Sequence, residues 1–525
     1  MNPRMKKSTK ILVVIVAIIA SIIAVCHISL DSVAEKELHA ALSNTPDAKI
    51  DFRNLSFSLI GGIVQLQGVE VEKDSIKAYV EAIKLEGISW KSLMRGEASA
   101  KRLLIKGPSA KIVITGEEEN SEEETDSVAA PENSFLKKVA LEELRIENAS
   151  LGLTSLKDST KVYLKELDFT ARDLGYLFAE NKVEYNDSCY TVELDSLVFM
   201  DPTGLSRITL GHLTTADGGP INVLAMHLFN CVGKEQVAER MGKVASMWYD
   251  VQLDTVYTSP INIPRMVKSE SVDIERVHMS GPKIVLFQDD RYPPAVPYPT
   301  MQEGLNQATI PVHIGKVDAV IKDFTFIWET THVNRGTFAM KNVRLALNSV
   351  SNAQGNLMEM VVKAGHVGHS RLNLTVNTRN DKQETTYGKM VISDLEGSRL
   401  DPFLRPLFGA TASAQIHNID CDFKGDKSHL DATFCMLYEN LKLKAWDDET
   451  APFKIVAQNS GLITFLANIA VPHANPINAS ANPKVVEFGF NRNPMQPYPT
   501  YLIQNLTTGM LKTCLPGGKV HKKDK

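Results

Sequence analysis

The residues of this 525-residue chain best suited to chemistry are a histidine pair, a short acidic run and six cysteines. His366 and His369 are three positions apart. On a β-strand such positions point to opposite faces, so the two imidazoles would not meet on one metal ion. Asp447, Asp448 and Glu449 are adjacent carboxylates without a partner base, a pattern typical of a solvated loop. Neither group predicts a catalytic or metal site.

The sequence motifs of common enzyme classes do not occur in this chain. It has no HExxH, GxSxG, Walker-type glycine loop or dinucleotide-binding glycine fingerprint, and no CxxC spacing. Cys421 and Cys435 flank a turn-like stretch and could face each other across a hairpin, but the apolar alternation disagrees about their faces. Their pairing stays open. We expect no enzyme activity, no metal and no cofactor.

The first thirty residues carry the clearest localisation signal. Four cations within residues 1–10 precede an apolar run at residues 11–30. Twenty helical residues rise about 30 Å, enough to cross the hydrocarbon core of a bilayer. The cations place the N terminus in the cytoplasm by the positive-inside rule. The alternative is a cleaved or lipidated signal, although residues 25–28 lack a small-x-small site and Val25 fits a lipoprotein signal poorly.

Charge and cysteine content exclude further classes of protein. The net charge is −5 and falls to −9 without the four N-terminal cations, so we expect no nucleic-acid partner. Five cysteines lie outside the apolar run, an odd number and widely scattered, which is not a disulfide framework. The hydrophobic content of 43% in 525 residues allows one large core or several smaller ones.

From about residue 50 the apolar residues alternate with polar ones, the period of a β-strand with one buried face. Turn residues recur about every ten positions, which indicates successive antiparallel strands. Phase slips, one of them at Gly68, suggest bulges. We predict that the apolar positions of these strands line a common apolar interior or groove, and the candidates are Val69, Val71, Leu144, Ile146, Phe324 and Phe326.

An internal repeat with an offset near 174 residues lies beneath this alternation. Gly107 and Pro108 return as Gly281 and Pro282, each time after a strand-like segment. The matching segments are 83–86 with 251–254, 100–108 with 274–282, 111–113 with 283–285, 141–146 with 314–318, and 165–169 with 341–345. Repeated sheet-forming units of this kind predict an extended β architecture.

These patterns divide the chain into segments. We predict a cytoplasmic basic segment (1–10), a transmembrane anchor (11–30), a juxtamembrane helix (31–49), a first β-rich unit (50–250) with an acidic linker (117–134), a second β-rich unit (251–395) with a proline-rich insert (289–310), and a C-terminal β-rich unit (396–525). The fold class is therefore mainly β, with elongated, curled antiparallel sheet units and few short helices.

Helical periodicity is confined to a few segments. Residues 234–249 predict a helix, residues 402–408 a short helical turn or loop, and residues 460–471 are apolar but too short to span a bilayer. A terminal helix at residues 500–514 carries an apolar stripe of Ile503, Leu506 and Met510 and precedes a lysine-rich tail. This stripe either contacts an anionic membrane surface or caps the sheet, and the sequence leaves both open.

With these patterns in view, the chain resembles the AsmA-like family of bacterial envelope proteins, which includes TamB and other bridge-like lipid-transport proteins. The resemblance is carried by the anchor leading into residues 55–71 and by a recurrent strand unit Leu-x-Ile-x-(Asn/Gly)-(Ala/Pro). The C-terminal segments that carry it are 400–403, 410–423, 436–444 and 487–492. The family implies a single-pass inner-membrane protein, with a cytoplasmic N terminus and a periplasmic β-sheet that holds an apolar groove.

The resemblance implies a role in outer-membrane biogenesis or phospholipid movement, with the inner membrane and phospholipid as partners. A sheet with one apolar face must close on itself, pack face to face or hold acyl chains. A closed β-sandwich is therefore the structural alternative to a lipid groove. The functional alternative is a scaffold that binds an envelope protein partner through the proline-rich insert or an edge strand. An envelope glycan-processing enzyme would need converging carboxylates that the sequence does not show.

Overall fold

The computed structural model describes most of the chain from Lys49 to Cys514. The described ranges are 49–58, 61–73, 76–89, 92, 97–114, 138–156, 159–177, 182–184, 190–216, 218–330, 335–365, 370–408, 410–445, 471–476, 478 and 480–514. Several predicted features lie outside the described residues: the anchor, most of the juxtamembrane helix, the acidic linker, His366 and His369, the acidic run at 447–449, the apolar residues 460–470 and the basic tail.

The described chain divides into two compact units. The first unit holds the described residues up to Gly204 and residues Ile208–Gly219, and the second unit holds Leu205–Arg207 and the described residues from Pro220 onward. This division falls near residues 204–220, whereas the sequence suggested boundaries near 250 and 395. Both units are mainly β with few helices.

The strands of the first unit contain the alternating segments of the sequence. They are β1 (Lys49–Asp51), β2 (Asn54–Ser58), β3 (Ile63–Lys73), β4 (Ile76–Glu86), β5 (Glu97–Lys106), β6 (Ser109–Ile114), β7 (Lys138–Ser155), β8 (Lys161–Leu177), β9 (Lys182–Glu184), β10 (Tyr190–Met200), β11 (Ser206–Leu210, with residues of both units) and β12 (His212–Ala216). Exposed and half-buried residues alternate strictly along β6, as expected for a strand with one wet face.

The second unit continues the same strand-rich pattern. Its strands are β13 (Pro220–Asn230), β14 (Ser246–Pro260), β15 (Val272–Asp289), β16 (Val312–Glu329), β17 (Arg335–Ser351), β18 (Leu357–Gly365), β19 (Arg371–Arg379), β20 (Thr386–Glu396), β21 (Ala410–Gly425), β22 (His429–Ala445) and β23 (Val485–Asn491). From β16 to β23 each strand pairs antiparallel with the next one.

The predicted antiparallel pairing has three exceptions among the described strands. β5 and β6 both pair with β7 in parallel, and β15 pairs with β16 in parallel. A tight hairpin cannot make a parallel pair. The chain must first return to the end at which the previous strand began, and this takes a connection of about a dozen residues or more. The acidic and proline-rich inserts of the sequence occupy these two connections, at residues 115–137 and 290–311.

The repeat in the sequence has a counterpart in strand order and register. Leu103 on β5 lies opposite Leu144 on β7, and Val277 on β15 lies opposite Val317 on β16. In both units the parallel pair is flanked by antiparallel neighbours, β4 and β8 in the first and β14 and β17 in the second. The register corrects the match of segment 83–86 with segment 251–254. Ile83 pairs with Ile105, and in the second unit Val256 pairs with Met279. The structural counterpart of Ile83 is therefore Val256 rather than Val251.

Bends with left-handed backbone explain the phase slips. Gly68 has φ 63°, in agreement with the predicted bulge, and Asn342 and Asn440 have φ 51° and 57°. Glycine and asparagine tolerate this conformation better than other residues. In β22 the buried side chains are even-numbered up to Tyr438, and the next buried one is Leu441, just beyond Asn440. Each bend therefore switches the face to which the following side chains point.

The helices of the second unit agree only in part with the sequence. They are α1 (Val237–Arg240), α2 (Ile263–Ser269), α3 (Met301–Asn306), α4 (Asp401–Phe408) and α5 (Tyr498–Cys514), with a 3₁₀ turn at Gly397–Leu400 before α4. The predicted terminal helix at 500–514 is confirmed, and residues 402–408, for which the sequence left a helical turn or a loop open, are helical. Among the described residues no helix is long and apolar enough to cross a bilayer.

The predicted helix at 234–249 is wrong beyond one turn. It ends because Gly242 and Lys243 adopt left-handed backbone, with φ 87° and 61°, and the residues from Ser246 onward enter β14. The helix α3 was not predicted from the sequence, although it begins with a capping box. The Thr300 hydroxyl accepts from the Glu303 amide, and the Glu303 carboxylate accepts from the Thr300 amide.

The connection at residues 290–311, here called the strap, crosses one end of the second unit. The Tyr298 amide donates to the Pro494 carbonyl at 2.8 Å. The Thr300 hydroxyl donates to Glu384 at 2.5 Å, and Lys427 pairs with Glu303 at 2.9 Å. Glu384 and Lys427 belong to the β19–β20 and β21–β22 turns, so the strap holds successive hairpin turns together.

Candidate functional site

The structure distributes the predicted groove residues over both units. Val69 is buried in the core of the first unit, and Val71, Leu144 and Ile146 are half-buried against it. In the second unit, Phe326 is buried beside Trp328 and Phe403. Phe324, which is half-buried, contacts this cluster and a neighbouring one around Ile321. Each unit therefore has an apolar interior of its own that contains some of the predicted residues.

The second unit contains an apolar cleft at the end of its core. The cleft lies between β21 and β22, the helix α4 with its preceding 3₁₀ turn, and the terminal helix α5, and it has a volume of about 730 Å³. Its lining residues are Gly397, Leu400, Leu404, Thr411, Ala412, Ala414, Ile416, Met436, Tyr438, Leu441, Leu443, Thr507, Met510, Leu511 and Cys514. This figure includes space open to solvent at the mouth of the cleft, so it is an upper bound on the enclosed volume.

Small residues on β21 leave the space that forms the cleft. Ala412 lies opposite Leu443, and Ile416 lies opposite Tyr438 on β22. Register shifts between Ser413 and Gln415 and after Ile416 bend β21 at this point. Further along the same strand pair, the large side chains of Phe423 and Phe434 are buried in the core. The alanines at the cleft end cannot fill the same width.

The terminal helix α5 covers the strands beside the cleft. Gly509 lies so close to the Phe434 ring that a side chain there would overlap it. The Tyr501 hydroxyl donates to the Phe490 carbonyl at 3.2 Å. Leu506 and Met510 of the predicted stripe are half-buried against the core, and Met510 also lines the cleft.

The packing of Leu506 and Met510 favours the capping alternative for this helix over membrane contact. Ile503 lies on the same helix, with its side chain outside the described part.

The polar groups of the cleft are neutral near pH 7. Among its described lining residues none is charged. Burial raises the pKa of the Cys514 thiol to about 11 and also raises the pKa of Tyr438, whose hydroxyl donates to the Pro472 carbonyl at 3.2 Å. A protonated thiol is a poor nucleophile. The cleft can therefore exclude water from an apolar ligand, and its described residues supply no acid, base or nucleophile.

A second cluster, at the ends of β15 and β16, is polar, and its buried carboxylates have partners within the cluster. Arg291 pairs with the buried Asp289 at 2.7 Å, and Arg335 pairs with the buried Glu329 at 2.6 Å. Trp328 donates its indole N–H to Asp290, whose pKa burial raises. Buried charges of this kind are stable only when they are paired.

No group of three potential metal ligands occurs within the described ranges. Cys421 and Cys435 lie on opposite faces of the β21–β22 hairpin, since Cys421 is opposite Phe434, and no disulfide joins these two described cysteines.

Comparison with known proteins does not assign this chain to a family. No protein-family model matches this chain, and no curated protein is significantly similar to it in sequence. The resemblance to AsmA-like proteins therefore depends on the sequence segments quoted above.

The cleft was missed because its signal in the sequence is the small size of residues. Residues 410–414 alternate alanine with threonine and serine, whereas neighbouring inward positions carry Ile, Phe or Met. Alternation alone predicted a strand at this point, and it gave no indication that the inward residues would leave a space.

Proposed function

We propose that this protein is a membrane-anchored, AsmA-like protein of the bacterial envelope that binds phospholipid acyl chains in the apolar cleft. The observation that supports this most strongly is an apolar cleft of at most about 730 Å³ without a charged group among its described lining residues. Burying an acyl chain there is favourable, since each methylene removed from water contributes about 0.8 kcal/mol.

The cellular setting of the proposal comes from the sequence. The apolar run at residues 11–30 and its cationic flank support an inner-membrane anchor with the β-rich body in the periplasm. A tethered acyl-chain binder in that compartment would act in outer-membrane biogenesis, by holding or guiding phospholipid.

The alternative is a scaffold that binds an envelope protein partner without carrying lipid. One observation favours it: Val296, in the proline-rich part of the strap, is 68% exposed. Exposed apolar residues between prolines are typical of segments that dock into aromatic grooves of other proteins.

Photo-cross-linking of an acyl probe tests the proposal. The full-length protein in nanodiscs is given a fatty-acyl probe with a diazirine in its chain, and the cross-linked peptides are mapped by mass spectrometry. We expect adducts on the β21, β22 and α5 residues of the cleft. Ala414→Trp should remove them by filling the cleft, whereas Ser413→Trp, on the adjacent exposed position, should retain them.

Adducts that are absent from the cleft peptides of the unsubstituted protein, or that persist in Ala414→Trp, would reject acyl binding at this site. A stoichiometric protein partner recovered together with an unlabelled cleft would support the scaffold.

A further inference from the structure

We infer that the cleft takes one acyl chain at a time, so that its ligand is a single-chain amphiphile such as a lysophospholipid or a fatty acid. This inference rests on the proposed function and narrows it. Three properties of the cleft carry it: its volume, the attachment of its walls and the absence of charge among its described lining residues.

The volume is too small for two chains. A methylene occupies roughly the volume of one water molecule in the liquid, about 30 Å³. A chain of about 16 carbons then needs about 480 Å³, and two such chains need about 960 Å³. The cleft offers about 730 Å³, a figure that includes space open to solvent and is therefore an upper bound.

The walls of the cleft are attached to each other, which prevents the cleft from widening for a second chain. Gly509 of α5 lies against the Phe434 ring, which is completely buried. The Lys484 ammonium donates to the Lys512 carbonyl in the last turn of α5 at 2.9 Å, and the Tyr501 hydroxyl holds the first half of α5 to β23. Moving the helix outward would break these contacts.

The lining determines which part of the ligand enters. Since the described lining residues are uncharged, a phosphate or carboxylate would lose its hydration there without a compensating partner. The chain therefore enters and the polar head remains in water. Leu511, which lines the cleft and is 36% exposed, marks a solvent-facing part of its wall.

Competition against the acyl probe measures this preference. The full-length protein in nanodiscs carries the diazirine fatty-acyl probe, and unlabelled palmitic acid, palmitoyl lysophosphatidylcholine and dipalmitoyl phosphatidylcholine are each delivered from cyclodextrin. We expect both single-chain lipids to reduce cleft labelling at concentrations at least tenfold lower than the two-chain lipid. Equal competition by palmitic acid and the lysophospholipid would show that the chain alone is recognised. A preference for one of them would identify its head as a further contact.

A size series at Ala414 provides a second measurement. Ala414→Val and Ala414→Leu should shift competition toward progressively shorter single chains, whereas Ser413→Leu should leave the chain-length profile unchanged. If the two-chain lipid competes as well as the single-chain lipids, the inference fails and acyl binding stands. If the probe never labels the cleft, the proposed function fails with it. If the probe labels residues 446–470 of the same chain instead of the cleft residues, the inference is also overturned.

Discussion

At the scale of single residues, Gly509 determines how closely the terminal helix approaches β22. A methyl group at this position would overlap the buried Phe434 ring. Overpacking of this kind costs about 1–3 kcal/mol, more than the ~1 kcal/mol that alanine gains over glycine in a helix. We therefore predict that Gly509→Ala lowers the free energy of unfolding, measured by urea denaturation of the full-length protein.

The matched control for this prediction is Gly304 in α3. A methyl group there contacts nothing within 4 Å, and the residue is exposed. Gly304→Ala should therefore be neutral or stabilise by up to about 1 kcal/mol. A Gly509→Ala variant as stable as Gly304→Ala would contradict the close approach of α5.

Cys514 makes the burial of the cleft wall measurable. Since its pKa is raised to about 11, only about one thiol in a thousand is ionised near pH 8, and the ionised fraction increases as the pH approaches 11. We predict slow alkylation of Cys514 by iodoacetamide, with a rate that rises steeply with pH. The exposed Cys231 should react much faster near pH 8. Equal rates for the two thiols, followed by peptide mass spectrometry, would show that Cys514 is accessible.

At the scale of elements, the strap depends on the cap of α3. Thr300 caps the helix and donates to the buried Glu384. Losing the cap and leaving a buried acceptor unpaired should together cost about 1–3 kcal/mol, so we predict that Thr300→Ala lowers the urea midpoint of the full-length protein. Thr309→Ala, at an exposed position of the same connection, should change stability by less than about 0.5 kcal/mol. Equal effects of the two substitutions would refute this role of Thr300.

The same contact makes the strap sensitive to pH. Burial raises the pKa of Glu384, against the opposing effects of Thr300, Lys427 and Arg492, and the neighbouring Glu303 raises it further. A raised folded-state pKa contributes stability below the unfolded value of about 4.3 and loses it as the pH rises through the folded value. Glu384→Gln cannot ionise.

We therefore predict that the stability of Glu384→Gln relative to the unsubstituted protein increases between about pH 4 and about pH 7. Urea denaturation at both pH values measures it, with Glu270→Gln at an exposed position as the control. A decrease over this range would mean that the fold favours the charged carboxylate.

Sequence patterns predicted elements well where one physical cause dominates. Alternation identified the strands, and the apolar stripe identified α5, because burial of one face decides both. The parallel pairing of β15 with β16 escaped prediction, because direction depends on where the connection leads and not on the strands themselves. The helix predicted at residues 234–249 is too long, because the apolar residues keep helical spacing beyond Gly242, where the left-handed backbone ends the helix. The cleft was not predicted, because small residues indicate an open space only when the side chains that pack around them are known.

For the whole molecule, the proposed function requires two parts: the anchor that the sequence predicts at residues 11–30 and the cleft in the second unit. The first unit repeats the strand arrangement of the second around a core of its own, in which Val69 and Leu66 are almost completely buried. The proposed ligand site belongs to the second unit, where β21, β22, α4 with its preceding 3₁₀ turn and the terminal helix α5 form the cleft. Function should therefore be more sensitive to substitutions at Ala414 than to equally disruptive substitutions in the first unit.

The most direct test of acyl binding is protection of Cys514 by lipid. Cys514 lines the cleft, and Cys231 is exposed elsewhere in the second unit. The full-length protein in nanodiscs is alkylated near pH 9 with and without palmitoyl lysophosphatidylcholine. We predict that the lipid slows alkylation of Cys514 at least fivefold, leaves Cys231 unchanged and has no effect on Cys514 in Ala414→Trp. An unchanged Cys514 rate at saturating lipid would contradict the claim that the cleft binds an acyl chain.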